Sequence, residues 1–261
     1  LNYWEHETSS ISRYRCDFER YEYEVGRYAK FPKTYTTGKI QYEAPDKGLF
    51  QAEVIKHRTP PKQPGGVPGM QVQVDGPREH WIYDGTSIFE FNYLLKQIIR
   101  RPLPPDMKGK QIAEGPLPFM FGAKVEQIKR RFWLRVVTPP DKKGEYWLEA
   151  IPRTLQDSQN FSAMTIVISE KDFLPQAMLM LHPNKARTNY LFNHRETDWI
   201  KNMFARNPFV PVLPARDWKK FDAPAEGARV GARRPLRNAA QVRLPFGIRQ
   251  AQDPGNRRTT R

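Results

Sequence analysis

Apolar and polar residues alternate in short runs along most of this chain. Tyr14, Cys16 and Phe18 alternate with Arg13, Arg15, Asp17 and Glu19, a period of two that predicts a strand with one buried face. Thr36 to Ala44 predicts a second strand, stopped at Pro45. Between His80 and Phe91 two aromatic-rich strands flank Asp84-Gly85, where glycine supplies the positive φ of a tight hairpin turn. Leu94 to Arg100 predicts a further strand, ended by Pro102, Pro104 and Pro105. Arg131 to Val137, Tyr146 to Ile151, Phe161 to Ser169, Gln176 to Leu181 and Thr188 to His194 repeat the pattern between Pro, Gly or Asp clusters.

Other segments break it. Leu1 to Thr8 predicts a short helix with Leu1, Trp4 and Thr8 on one face. Lys56 to Pro77 holds five Pro and four Gly, which predicts a long hairpin tip with strand only at its edges, near Met70 to Val74. A loop or helix carries the chain to Pro116-Leu-Pro-Phe-Met-Phe-Gly122. About ten strands and few helices predict a mainly β (α+β) fold: an antiparallel meander, a barrel or an incomplete barrel.

The strand faces are rich in apolar side chains. Phe89 and Phe91 share one face of their strand and Ile88 takes the other; Phe132, Leu134 and Val136 are backed by Trp133 and Val137. Leu148 and Ala150, then Met164, Ile166 and Ile168, then Met178 and Met180, continue the series. These faces make an ordinary core between sheet and helix, or they line a cavity for a lipid chain. Flexible methionines suit variable apolar groups. The candidate cavity set is Tyr42, Phe89, Phe91, Phe119, Met120, Phe121, Leu134, Leu148, Met164, Ile166, Met178 and Met180.

Charge divides the chain. Its 43 Lys+Arg and 28 Asp+Glu give a net charge of +15. Residues 223–261 hold nine Arg and two acids, a net of +7, with Pro and Gly throughout and Phe246 as their one aromatic. That composition predicts a disordered tail and a folded domain over residues 1–222 that keeps the remaining +8. Arg233, Arg234, Arg237, Arg257 and Arg258 are the candidate polyanion contacts. The tail lacks interleaved aromatics and the body lacks a nucleic-acid motif, so an anionic surface is expected in preference to nucleic acid.

Little points to chemistry. One cysteine excludes an internal disulfide framework and any zinc site needing two thiolates. His6, His57, His80, His182 and His194 show no metal-ligand spacing, and no nucleophile motif is present. Gly65-Gly66-Val-Pro-Gly69 is glycine-rich, but its proline lacks a donor and no helical pattern follows, so it is no phosphate loop. The chain is therefore expected to be non-enzymatic, with no cofactor. No run reaches the eighteen apolar residues of a membrane-spanning helix.

The order of the motifs resembles that of the periplasmic lipoprotein-sorting carriers, the LolA-like family. Its opening helix and strand ending in an F-x-Q-like motif are matched by Ile11 to Arg20, with Cys16-Asp-Phe-Glu-Arg20. Gly38-Lys-Ile-Gln-Tyr-Glu-Ala-Pro45 resembles its strand running into a Pro-containing turn. Asp84-Gly85-Thr-Ser-Ile-Phe-Glu-Phe-Asn92 resembles its D-G hairpin, and Lys96-Gln97-Ile98 a strand with a central Gln. Leu117-Pro-Phe-Met-Phe121, Leu148-Glu-Ala-Ile-Pro152, Phe161 to Ile168, Leu174-Pro175 and Tyr190-Leu-Phe192 complete the series, over roughly residues 1–222. The family has an Arg before the turn proline where this chain has Ala44. The 56–77 insertion and the Arg-rich tail are additions.

The resemblance implies a curved antiparallel half-barrel sheet wrapped over a few short helices, with an apolar concavity. It implies a monomeric carrier of lipoprotein acyl chains or other lipid in the periplasm or cell envelope, with an envelope membrane receptor as a further partner. The chain starts at Leu1, not Met, which is expected of an exported protein with its signal segment removed.

Overall fold

The computed structural model describes residues 1–103, 125–198 and 207–223. The chain opens with α1 (Asn2–Ser9), followed by β1 (Arg13–Tyr23), β2 (Thr34–Glu43), β3 (Lys47–Thr59), β4 (Gly69–Val72), β5 (His80–Asp84), β6 (Ser87–Asn92) and β7 (Gln97–Pro102). Then come α2 (Val125–Arg131), β8 (Phe132–Val136), β9 (Glu145–Pro152), α3 (Leu155–Ser158), β10 (Ala163–Ser169), β11 (Pro175–Leu181), β12 (Arg187–Thr197) and β13 (Lys219–Asp222).

These strands form one curved sheet in the order β13-β7-β6-β5-β3-β2-β1-β12-β11-β10-β9-β8, with β4 paired to β3 off that path. The two end strands, β13 and β8, do not pair, so the sheet is an open one. Every pairing is antiparallel except β13 on β7. The mainly β, half-open architecture expected from the sequence is the one found.

Local chemistry sets the turns and caps. Gly85 takes φ +91° in the β5–β6 turn, and the Asp84 carboxylate accepts hydrogen bonds from the backbone N–H of Thr86 and Ser87, each at 2.8 Å. Thr154 caps α3 by accepting from the Asp157 N–H at 3.1 Å. Arg131, at the end of α2, bonds Asp157 through Nη2 at 2.6 Å, tying α2 to α3.

The sheet buries apolar side chains on both faces. One cluster runs from Ile88 of β6 and Trp81 of β5, through Phe50, Ile40, Phe18 and Phe192, to Met164, Ile166 and Phe132 of β8. Trp4 of α1 and Ile128 of α2 join it. Strands near both ends of the open sheet share this cluster with the helices, which makes its face the inner, concave one. A second cluster lies on the outer face: Leu49, Ile82, Phe89, Phe91 and Ile98 beneath Phe209 and Trp218.

Several expectations shift. Strand β3 occupies a stretch with little alternation: Gly48, Leu49 and Phe50 are buried in succession because both faces are covered there. Leu94 to Lys96 is a turn and the strand begins at Gln97. Arg131 closes a helix instead of opening a strand. Leu1 is exposed, and α1 is held by Trp4 and Thr8.

Candidate functional site

The inner face is built by register. Tyr14, Cys16, Phe18 and Arg20 of β1 point inward in alternation. Phe18 faces Gly38 of β2 and Phe192 of β12. A Cβ at Gly38 would lie 2.7 Å from the Phe18 ring and inside contact distance of Gln51 O, so only glycine lets this ring lie across β2. Phe18 then stacks on Phe50 of β3 with centroids 4.8 Å apart.

A second row crosses the rest of the sheet. Val136 pairs with Leu148, Leu148 with Ile166, Ile166 with Met178, and Met178 with Tyr190. Tyr190 faces Arg20, and Arg20 faces Thr36. Beside it runs Leu134, Ala150, Met164, Met180 and Thr188. Three methionines therefore sit side by side in the middle of an apolar surface.

One charged group interrupts it. Arg20 is buried, and its Nη1 donates to Glu79 Oε2 at 2.5 Å. Its Nε and the Thr36 hydroxyl oxygen are buried without a hydrogen-bond partner among the described residues. Burial controls the neighbouring thiol and phenols of this face. Desolvation pushes the Cys16 thiol up to about 12, which removes it as a nucleophile near neutral pH. Desolvation also raises the Tyr14 and Tyr190 hydroxyls above their ordinary range. Among the described residues no cluster of His, Cys, Asp or Glu is placed to hold a metal ion. No helix among them is long and apolar enough to cross a membrane.

The short helix α1 covers this face with few attachments. The Trp4 indole N–H donates to Phe173 O at 3.0 Å, between β10 and β11. Tyr3 meets the Phe173 ring edge-on at 5.1 Å, and Glu5 accepts from the Val125 N–H at 3.2 Å. An eight-residue helix has little stability of its own, so its position depends on these contacts.

Of the cavity candidates, Tyr42, Leu134, Met164, Ile166, Met178 and Met180 come together in the inner cluster, and Leu148 shares their face by its pairing with Ile166. Phe89 and Phe91 do not, and their assignment to the concavity is corrected. They point outward into the second cluster, while Ile88 between β5 and β7 points inward. On a strand buried on both sides, alternation separates two faces without saying which is concave. Phe119, Met120, Phe121 and the tail residues Arg233, Arg234, Arg237, Arg257 and Arg258 lie outside the described residues. The sequence reading missed Phe50 and Trp81 as inner-face residues, because their strands are buried on both sides. Phe18 and Phe192 stood in visible alternations but were left out of the candidate set.

No family model and no curated protein matches the sequence. Solved structures with a similar arrangement do exist. An uncharacterized conserved protein from Thermus thermophilus aligns with 85% of this chain and 98% of its own, at 10% identity and a TM-score of 0.44. The MucA/MucB complex of Pseudomonas aeruginosa aligns over 78% of this chain and 57% of that one, at 14% identity and a TM-score of 0.37. A LolA superfamily protein from Nitrosomonas europaea aligns over 80% and 98%, at 7% identity and a TM-score of 0.31. This last carries the family name that the sequence motifs resemble.

Proposed function

We propose that this protein is a non-enzymatic binding protein that holds acyl chains of a lipid or lipoprotein on the inner face of its open sheet. The observation that carries the proposal is the unbroken apolar row from Leu148 through Ile166 and Met178, flanked by Met164 and Met180, on the face that the short helix α1 packs against through Trp4. The order of sequence motifs shared with the lipoprotein-sorting carriers supports it, and extends the proposal to an exported protein of the periplasm or envelope.

Magnitudes favour exchange. Lifting α1 exposes Trp4, at a cost of about 3 kcal/mol, and uncovers the face beneath it, which an incoming acyl chain covers again while each of its sequestered methylenes contributes about 0.8 kcal/mol. A chain of about a dozen methylenes therefore outweighs the helix it displaces.

Titrating the full chain with a fluorescent polyene fatty acid tests this. Saturable binding is expected, about tenfold weaker in Met178→Gln, where an amide without a partner enters the face. Trp4→Ala is expected to bind faster because the cover is looser. Absence of saturable binding in both the natural chain and Trp4→Ala would overturn the proposal.

A further inference from the structure

At the β8–β11 end the outer face of the sheet carries exposed apolar side chains. Trp133 of β8 is 61% exposed and pairs with Ile151 of β9, which is 42% exposed. Two strands on, Leu181 of β11 is 40% exposed and pairs with Ala163 of β10. Leu155, which opens α3 just after β9, is 80% exposed. An exposed tryptophan in one cross-strand series with Ile151 and Leu181, with Leu155 exposed just after β9 in the chain, is more than the scatter of single apolar residues usual on a surface.

Basic groups frame these residues. The Arg153 guanidinium lies over the Trp133 ring, 3.8 Å from its centroid, and Arg153 Nη1 donates to Lys129 O at 2.7 Å. That bond ties the end of α2, where Lys129 and Arg130 are exposed, to the residue that follows β9. On the far side Arg187 pairs with Leu181 in register, and its guanidinium lies over Tyr23, 5.0 Å from the ring centroid. Three acids here pair one for one with bases, Asp157 with Arg131, Glu126 with Lys129 and Glu149 with Arg135, so the excess rests on Arg130, Arg153 and Arg187. The rim thus presents apolar side chains ringed by an excess of positive charge.

Tryptophan and arginine with apolar bodies and polar or charged ends suit the boundary between lipid headgroups and acyl chains. We propose that this rim docks the protein on an anionic lipid bilayer, with Trp133, Ile151 and Leu181 at headgroup depth and Arg153 and Arg187 against lipid phosphates. The docking is independent of acyl-chain binding on the opposite face, so either proposal can fail alone.

The test is co-sedimentation of the full chain with vesicles of phosphatidylcholine containing 30% phosphatidylglycerol, and with phosphatidylcholine alone. Expected are binding that favours the anionic vesicles, about tenfold weakening in Trp133→Ser, and about fivefold weakening for each of Arg153→Gln and Arg187→Gln. All these substitutions leave the basic tail intact. With brominated lipid, tryptophan fluorescence should be quenched, and Trp133→Phe should lose that quenching while still binding. Equal binding to both vesicle types, full binding by Trp133→Ser or undiminished quenching in Trp133→Phe would overturn the proposal. No sedimentation with either vesicle would also overturn it, in favour of a protein surface on this rim.

Discussion

The outer face of the sheet is treated differently at its two ends. Over β3, β5, β6 and β7 it is covered by the segment 207–223, whose Phe209 and Trp218 close a second core. Over β8, β9 and β11 it carries Trp133, Ile151 and Leu181 in the open. Both ends place a tryptophan on the outer surface. One is packed over Phe91 and Tyr93, with ring centroids 6.3 and 5.1 Å away, and the other meets only an arginine in the described ring contacts. The same residue type therefore stabilises the fold at one end and remains available at the other.

The largest expected effect measures that contrast in stability. Trp218→Ala should cost about 3–5 kcal/mol, since it empties a buried aromatic site. Trp133→Ala should cost about 1 kcal/mol or less, the scale of an exposed cation–π contact. Urea unfolding of both variants checks this, and equal losses would break the comparison.

Acid should act on the covered end. His80 stacks on Phe91 with centroids 3.8 Å apart and shares a hydrogen bond with the Tyr93 hydroxyl through Nδ1, at 2.9 Å. Burial lowers its imidazole pKa from 6.5 to about 4. Between those values the unfolded chain binds a proton that the folded chain does not, so stability falls as pH drops through the window and levels off below it. Urea midpoints at pH 7 and pH 4.5 should show a smaller acid loss in His80→Phe than in the natural chain. An unchanged loss would detach this part of the acid sensitivity from the covered end.

The same contrast explains what the sequence made legible. Where one face is open, as along β1 and β9 to β12, alternation marks each strand and its inward set, and Leu148, Met164 and Met178 are found. Where both faces are covered, alternation fades. β3 was passed over, and Phe89 and Phe91 were assigned to the wrong side. The cover itself left little trace. Phe209 and Trp218 are isolated aromatics among Pro208, Pro211 and Pro214, and β13 reads as Lys219-Lys220-Phe221-Asp222 with no periodicity to mark it. Such a strand is recruited by the edge it meets, since parallel pairing to β7 depends on a distant part of the chain.

The smallest expected effect asks what holds that cover in place. Lys96 Nζ and Asp217 Oδ2 meet at 2.5 Å, but both side chains are more than half exposed, where water and salt screen the pair. Backbone bonds tie the same segment: Lys219 N–H donates to Lys96 O at 3.0 Å, and Ala223 N–H to Arg100 O at 2.8 Å. If apolar cover and ladder bonds secure the segment, Asp217→Asn should leave exchange of the Lys219 and Ala223 amides nearly unchanged. Trp218→Ala should accelerate both, because local opening no longer has to expose the indole. Faster exchange in Asp217→Asn alone would mean that a surface ion pair latches the segment, and that the covered end is far closer to the exposed one than its packing implies.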